Sequence, residues 1–300
     1  MSAKQKAILA LIIANFIWGA APPLFKWSLE NIQPFTLAFL RFFIGALIIL
    51  PFCYKQLQMK SKDFLLFFLM TFFGITVNIG FFFLSLQKTE SINVPIIGSS
   101  APLFIFLFSV LFLKETLNKK KFIGALIGFT GVLLIVLLPS LQKGFDGSIT
   151  GNLFIIISVF ASIIHLLLGK KLAGRYKPLP LIWWMFFIGS LTFVPFMWSE
   201  IGTHGFLTGL NIQGVTGIIY GAIGATAIAN YLYFYAIKQL PASEVGLFIY
   251  LDPIIAIMIA IPLLGELPTP LYIAGAVLVF MGIFIAEGRL PYHPLHKLRK

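Results

Sequence analysis

Charge is scarce in this 300-residue chain, where only 11% of residues are Asp, Glu, Lys or Arg and only 10 are acidic. A soluble domain averages about 25% charged residues. Cysteine is scarcer still: Cys53 stands alone, which rules out an internal disulfide and a cysteine metal cluster. No GxxxxGK[ST] occurs, so ATP does not drive this protein directly. HExxH and GxSxG are also missing, and Asp252, His165 and Cys53 are too few and too scattered for an intramembrane enzyme. The reading is therefore not an enzyme, with no cofactor and no metal. The net charge of +12 brings no basic stripe with interleaved aromatics on a soluble segment, so nucleic acid is not expected as a partner.

What the chain does have is apolar surface. Hydrophobic residues make up 59%, and the mean hydropathy is +0.97. The solvent for most of this surface must be lipid. About 20 apolar residues cross the hydrocarbon core as a helix, and that length predicts spans near 7–29, 34–54, 64–86, 91–113, 121–139, 149–169, 180–198, 214–237, 244–264 and 270–287. The fold class expected is an all-α membrane protein of ten helices. Basic residues alternate between connections: Lys4 and Lys6, Lys55 to Lys62, Lys114 to Lys121, Lys170 to Lys177, Lys238 and the tail from Arg289 share one side, while the other holds Lys26, Lys88 and Lys143. The positive-inside rule reads this as both termini cytoplasmic, in a plasma (inner) membrane. Lys4 and Lys6 resemble the n-region of a signal peptide, but the apolar stretch after them is too long for an h-region.

The chain also repeats itself. Residues 34–52 align without a gap on residues 178–196, matching Pro34/Pro178, Phe42/Phe186, Gly45/Gly189 and Pro51/Pro195. Further pairs recur at a spacing of 151: Val94/Val245, Pro102/Pro253, Glu115/Glu266, Gly124/Gly275 and Gly131/Gly282. The expected division is a first five-helix repeat, 1–145, and a second, 146–300, ending in a basic tail. An odd number of spans inverts the second copy, and inverted repeats place substrate near the midplane between halves.

Ionisable groups within spans are costly and mark function by default. Asp252 and Arg41 qualify, either as an ion pair that fixes packing or as a proton or cation site with its counter-charge. Asn15 and Trp18 share one helix face. Ser158, Ser162 and His165 share another, as do Thr226, Asn230 and Tyr233. Asn78 lies four after Gly74, and Ser99 falls in the fourth span. Each polar residue alone can be helix–helix glue; together Asn15, Trp18, Asn78, Ser99, Ser158, Ser162, Thr226, Asn230 and Tyr233 are expected to line a cavity. His165 is expected in a solvated or packing role, Glu115 and Glu266 as caps or salt-bridge partners at span ends, and Gly124/Gly128 and Gly217/Gly221 as close helix contacts.

Ile17-Trp18-Gly19, Leu40-Arg41-Phe42-Phe43, Pro102-Leu103-Phe104, Leu113-Lys114-Glu115-Thr116 and Phe122-Ile123-Gly124-Ala125, followed by Leu251-Asp252-Pro253, Leu264-Gly265-Glu266 and Ile273-Ala274-Gly275-Ala276, resemble the EamA-type members of the drug/metabolite transporter superfamily. The resemblance covers nearly the whole chain and implies a carrier of small metabolites, often an exporter of amino acids. The family usually has Glu where this chain has Asp252. The expected function is a secondary transporter exporting amino acids or similar metabolites by alternating access, with a small-molecule substrate, membrane lipid and protons as partners. The alternatives are a carrier for phosphorylated or nucleotide-linked metabolites, for which only Arg41 and Lys26 supply cations, and a non-transporting scaffold or channel. Oligomeric state is left open.

Overall fold

The computed structural model describes residues 3–101, 104, 119–143, 147–240, 248 and 251–286. Pro102-Leu103, Leu113 to Thr116, Tyr250 and the basic tail from Arg289 lie outside them. Among the described residues every regular element is helical. In chain order these are α1 (Ala3–Ser28), α2 (Pro34–Cys53), α3 (Ser61–Leu86), α4 (Asn93–Gly98), α5 (Lys119–Lys143), α6 (Gly147–Ala173), α7 (Pro178–His204), α8 (Ile212–Ile237), α9 (Asp252–Leu264) and α10 (Pro270–Ala286). α1, α2, α3, α6, α7 and α8 are each long and apolar enough to cross a membrane. Large apolar side chains such as Phe52, Ile212 and Met258 stand exposed around the chain, as a lipid-facing surface allows and water does not.

Local sequence fixes the helix ends. Pro34 and Pro178, a matched pair of the repeat, open α2 and α7 after extended residues Gln33 and Lys177. Proline is pre-set for the first helical position, where its missing N–H costs nothing. Asn211 caps α8, its side chain accepting from the amides of Gln213 and Gly214. α9 stops at Gly265, whose φ of 66° is open to glycine. The described part of α9 runs from Asp252, with Pro253 in its first turn and Leu251 before it in helical backbone conformation; residues 244–247, 249 and 250 of the predicted span lie outside the described residues.

Two helices widen in mid-span. α3 is a π-helix over Phe72–Val77, and α8 over Tyr220–Ile228. Hydropathy does not see these segments, yet they fall at corresponding places in the two halves. The matched glycines of α2 and α7 explain how they are seated. A Cβ on Gly45 would lie 2.8 Å from Thr226 Cγ2, within the α8 π-segment, and one on Gly189 would lie 2.7 Å from Ile75 Cδ1, within that of α3. Each half presents a bare backbone to the widened helix of the other.

The chain forms two compact units, one of residues 1–98 and 146–267 and a second of residues 99–145 and 268–300. In the first, α1 packs on α8 and α9, α6 on α3 and α4, and α2 on α7. Exchanging each helix for its repeat partner returns the same set of contacts. The core runs through Phe25, Phe42, Phe67, Phe83, Phe186 and Phe193. In the second unit α5 packs on α10. A Cβ on Gly282 would lie 2.4 Å from the Gly124 carbonyl and the Gly128 amide, and one on Gly131 would lie 2.6 Å from the Gly275 carbonyl. The small-residue spacing read from the sequence is thus a backbone-to-backbone contact. Gly217 and Gly221 of α8 instead make room for side chains, those of Ser28, Phe25 and Arg41.

Candidate functional site

Arg41 reaches its position because Gly221 leaves room beside it: a Cβ there would lie 3.2 Å from Arg41 Cβ. The side chain is buried, and its Nε donates to Thr226 Oγ1 at 3.0 Å. The guanidinium carbon lies 4.8 Å from the ring centres of both Phe25 and Phe42 and 5.8 Å from that of Phe83. Aromatic faces thus take the place of a carboxylate in stabilising the cation.

Asp252 does not supply that carboxylate. The described ion pairs are Lys26–Glu266 and Arg175–Asp63, so the Arg41–Asp252 pair allowed by the sequence is not formed. The two residues belong to different helix contacts, Arg41 to α2–α8 and Asp252 to α1–α9. Tyr220 lies within electrostatic reach of both, and its hydroxyl donates to the Ile17 carbonyl. Among the described residues, Oδ1 of Asp252 is buried without a hydrogen-bond partner, a costly arrangement for any carboxyl group. Opposite it, α1 approaches so closely that a Cβ on Gly19 would sit 2.9 Å from Ile255 Cβ and 3.0 Å from Asp252 Cα. One turn on, Pro22 and Pro23 lie inside α1; neither can donate to the carbonyls of Trp18 and Gly19. An orphaned carboxylate oxygen and two carbonyls without ladder partners therefore occur at one level.

Six of the other polar candidates, Trp18, Thr226, Asn230, Tyr233, Asn78 and Ser158, fall into two clusters at corresponding places. Between α1 and α8, Trp18 Nε1 donates to the Ala225 carbonyl at 3.0 Å, which also accepts from Asn230 Nδ2 at 3.2 Å; Asn230 further bonds the Thr226 carbonyl at 2.9 Å. These carbonyls belong to the π-segment, whose widened ladder leaves acceptors to be satisfied by side chains. The rings of Trp18 and Tyr233 meet at 5.2 Å. Between α3 and α6, Asn78 Nδ2 bonds both the carbonyl and Oγ of Ser158, at 2.8 and 2.9 Å. His165 fills the notch left by Gly74, with Nδ1 3.0 Å from the Met70 carbonyl, so of the solvated and packing roles expected it takes the packing one. Ser162 bonds the carbonyl of Val159 and Asn15 that of Leu11, each on its own helix. Ser99 is fully buried.

Sequence reading undervalued one end of the first unit. Glu266, just beyond α9, accepts from Lys26 Nζ at 2.7 Å, from the Ser91 amide at 3.0 Å, from Ser91 Oγ at 2.7 Å and from the Ile92 amide at 3.2 Å. Lys26 also donates to the Thr89 carbonyl at 2.8 Å, and Thr89 Oγ1 to Asn152 Oδ1 at 2.8 Å. One carboxylate thus ties the ends of α1 and α9 to the turn before α4, and Thr89 extends the tie to α6. Burial opposes ionisation of Glu266, but the hydrogen bonds from Lys26 and Ser91 and the charge of Lys26 outweigh it and hold the carboxyl below its ordinary 4.5. Its role as cap and ion-pair partner was legible; the number of elements it joins was not. Glu200 similarly caps α2 through the amides of Phe35 and Thr36. At the basic end, Asp63 holds Arg175 and the Tyr176 hydroxyl.

The family model for the EamA-like transporter family matches this chain twice, over residues 5–137 and 149–287. An uncharacterized transporter of Archaeoglobus fulgidus is 28% identical over 282 residues, covering 94% of this chain and 98% of that one. The uncharacterized transporter YdfC of Bacillus subtilis is 29% identical over 276 residues, covering 89% and 86%. A solved crystal structure shares the fold, with a TM-score of 0.65 at 17% identity over 95% of this chain and 96% of that one. With two tandem family matches laid over a chain whose described residues hold six helices long and apolar enough to cross a membrane and three shorter apolar ones, this chain belongs to the EamA-like transporter family and is an integral membrane transporter.

Proposed function

We propose that this protein is a secondary transporter that exports amino acids or similar small metabolites by alternating access, and that Asp252 takes up a proton or the cationic group of the cargo. The observation that carries this reading is the buried, unpartnered Oδ1 of Asp252, level with the α1 carbonyls that Pro22 and Pro23 leave without donors. A site made of acceptors recruits an ammonium group or a proton. Trp18, on the same helix α1, and Tyr233 of α8 pair their rings and add faces that favour a cation. A phosphorylated cargo fits less well, because the buried Arg41 is already held between phenylalanine rings and by Thr226.

In this reading the repeats 1–145 and 146–300 move against one another. The charge distribution supports a plasma-membrane location with both termini cytoplasmic, which makes the Lys26–Glu266 end the outer one. The test is counterflow in proteoliposomes with a panel of amino acids, amines and nucleosides, with and without an imposed pH gradient. Saturable exchange of an amine-bearing solute is expected, and Asp252→Asn is expected to remove its dependence on the gradient. If Asp252→Asn transports normally under every gradient, Asp252 has no such role; if no solute saturates or exchanges, the carrier reading itself fails.

A further inference from the structure

At the basic end of the first unit a groove of about 480 Å³ opens between the end of α2, the start of α7 and the end of α8. It is remote in kind from the acceptor-rich spot at Asp252: one part is apolar, with Phe52 and Leu179, and its lip is basic, with Lys177 and Lys238. Lys177 immediately precedes the apolar span of α7 and Lys238 immediately follows that of α8, so both ammonium groups stand at the level where hydrocarbon gives way to headgroups. Both side chains are exposed, and among the described residues neither has a hydrogen bond or ion pair. The nearby carboxylate of Asp63 is already committed to Arg175 and Tyr176. Tyr231 and Tyr235 form the α8 wall. The same tyrosines also line a smaller groove of about 270 Å³ that carries Lys6.

We propose that this groove binds an anionic phospholipid of the surrounding leaflet, with its phosphate between Lys177 and Lys238 and an acyl chain along Phe52 and Leu179. The charge of the lip calls for an anion, and two unpaired lysines in one lip attract anionic headgroups far more than zwitterionic ones. The apolar wall continues into surface that faces lipid, since Phe52 is 70% exposed. Amphipathic tyrosines belong at this depth, where ring and hydroxyl meet different solvents. A soluble phosphate would satisfy the lysines and leave Phe52 and Leu179 uncovered, whereas a phospholipid satisfies both.

The experiment uses the full chain purified in detergent and equilibrated with equal amounts of phosphatidylglycerol and phosphatidylcholine, with retained lipid counted by native mass spectrometry. The wild type is expected to retain phosphatidylglycerol several-fold over phosphatidylcholine. Lys177→Gln with Lys238→Gln should abolish that preference, while Lys55→Gln with Lys62→Gln, at the same end but outside the groove, should keep it. Leu179→Trp keeps both lysines and fills the apolar half, and it should lose the retained lipid as well. Equal retention of the two lipids by the wild type, equal loss in the control pair, or full retention by Leu179→Trp would each overturn the site. Displacement of the lipid by millimolar inorganic phosphate would assign the lip to a free anion and overturn the phospholipid.

Discussion

Glu266→Gln changes one atom of the best-connected carboxylate in the described chain, and its consequence can be worked from the contacts. The carboxylate receives three hydrogen bonds from Ser91 and Ile92 besides the Lys26 ion pair. Hydrogen bonds to a charged group contribute about 1.5–3 kcal/mol against about 0.5–1.5 for neutral ones. Loss of one member of a buried pair costs about 3–5 kcal/mol. Glu266 is 8% exposed but Lys26 is 28% exposed, and Lys26 keeps the Thr89 carbonyl, so water recovers part of the loss. A net cost of about 2 kcal/mol remains, which is about a 30-fold rise in the open population of this end. The Ser91 and Ile92 amides are the reporters, because the Glu266 carboxylate is their acceptor. Hydrogen–deuterium exchange of the segment around residues 89–94, corrected for intrinsic rates, should be about 30-fold faster in the variant.

The same amides report pH. Glu266 ionises more easily folded than unfolded, so its contribution is fully present above its ordinary 4.5 and is lost as pH falls below that through the depressed value. Wild-type protection should hold at neutral pH and decay only below 4.5, while Glu266→Gln should show no such step. Unchanged exchange in the variant, or a wild-type step centred above pH 6, would refute the latch.

Three further outcomes follow from the packing. Gly74→Ala places a Cβ 2.0 Å from His165 Nδ1, so it should destabilise by about 1–3 kcal/mol; His165→Ala should remove most of that cost, as a double-mutant cycle in thermal unfolding will show. Gly282→Ala sets a Cβ 2.4 Å from α5 backbone atoms, where Gly202→Ala meets nothing within 4 Å; the first should cost about 3 kcal/mol and the second should be neutral or stabilising, read as thermal midpoints in detergent. Arg41→Lys keeps the charge but loses the Nε bond to Thr226 and the guanidinium contacts with the Phe25 and Phe42 rings; a loss of about 1–3 kcal/mol is expected by the same measurement.

Much of this architecture is legible in single residues. Pro34 and Pro178 start equivalent helices, and Gly45 and Gly189 seat equivalent π-segments, because both jobs depend on backbone geometry that only particular residue types allow. Gly124 and Gly128 announced a close helix contact for the same reason, and the structure supplies its partner in Gly282 of α10. The candidate site was less legible. Helical periodicity put Ser158 and Ser162 on one face, but it could not say that Asn78 would claim Ser158 while Ser162 turned back on its own helix. The sequence allowed Asp252 and Arg41 to pair, but position along a span does not fix azimuth, and the two residues are held in different helix contacts. Tyr220, whose charge environment includes both, carried no sequence signal beyond a tyrosine among glycines and alanines.

Composition, apolar length and the repeat by themselves determined a ten-helix membrane protein with two related halves, because lipid exposure and backbone hydrogen bonding leave few alternatives. Tertiary structure alone decided which polar groups find partners. It gave Arg41 to phenylalanine rings and Thr226, gave Lys26 to Glu266, and left Asp252 Oδ1 with none. Those outcomes turn on ångström-scale approaches between helices far apart in the chain, set by Gly19, Gly45 and Gly221, and the energy of a buried polar group depends on the one neighbour within hydrogen-bond reach.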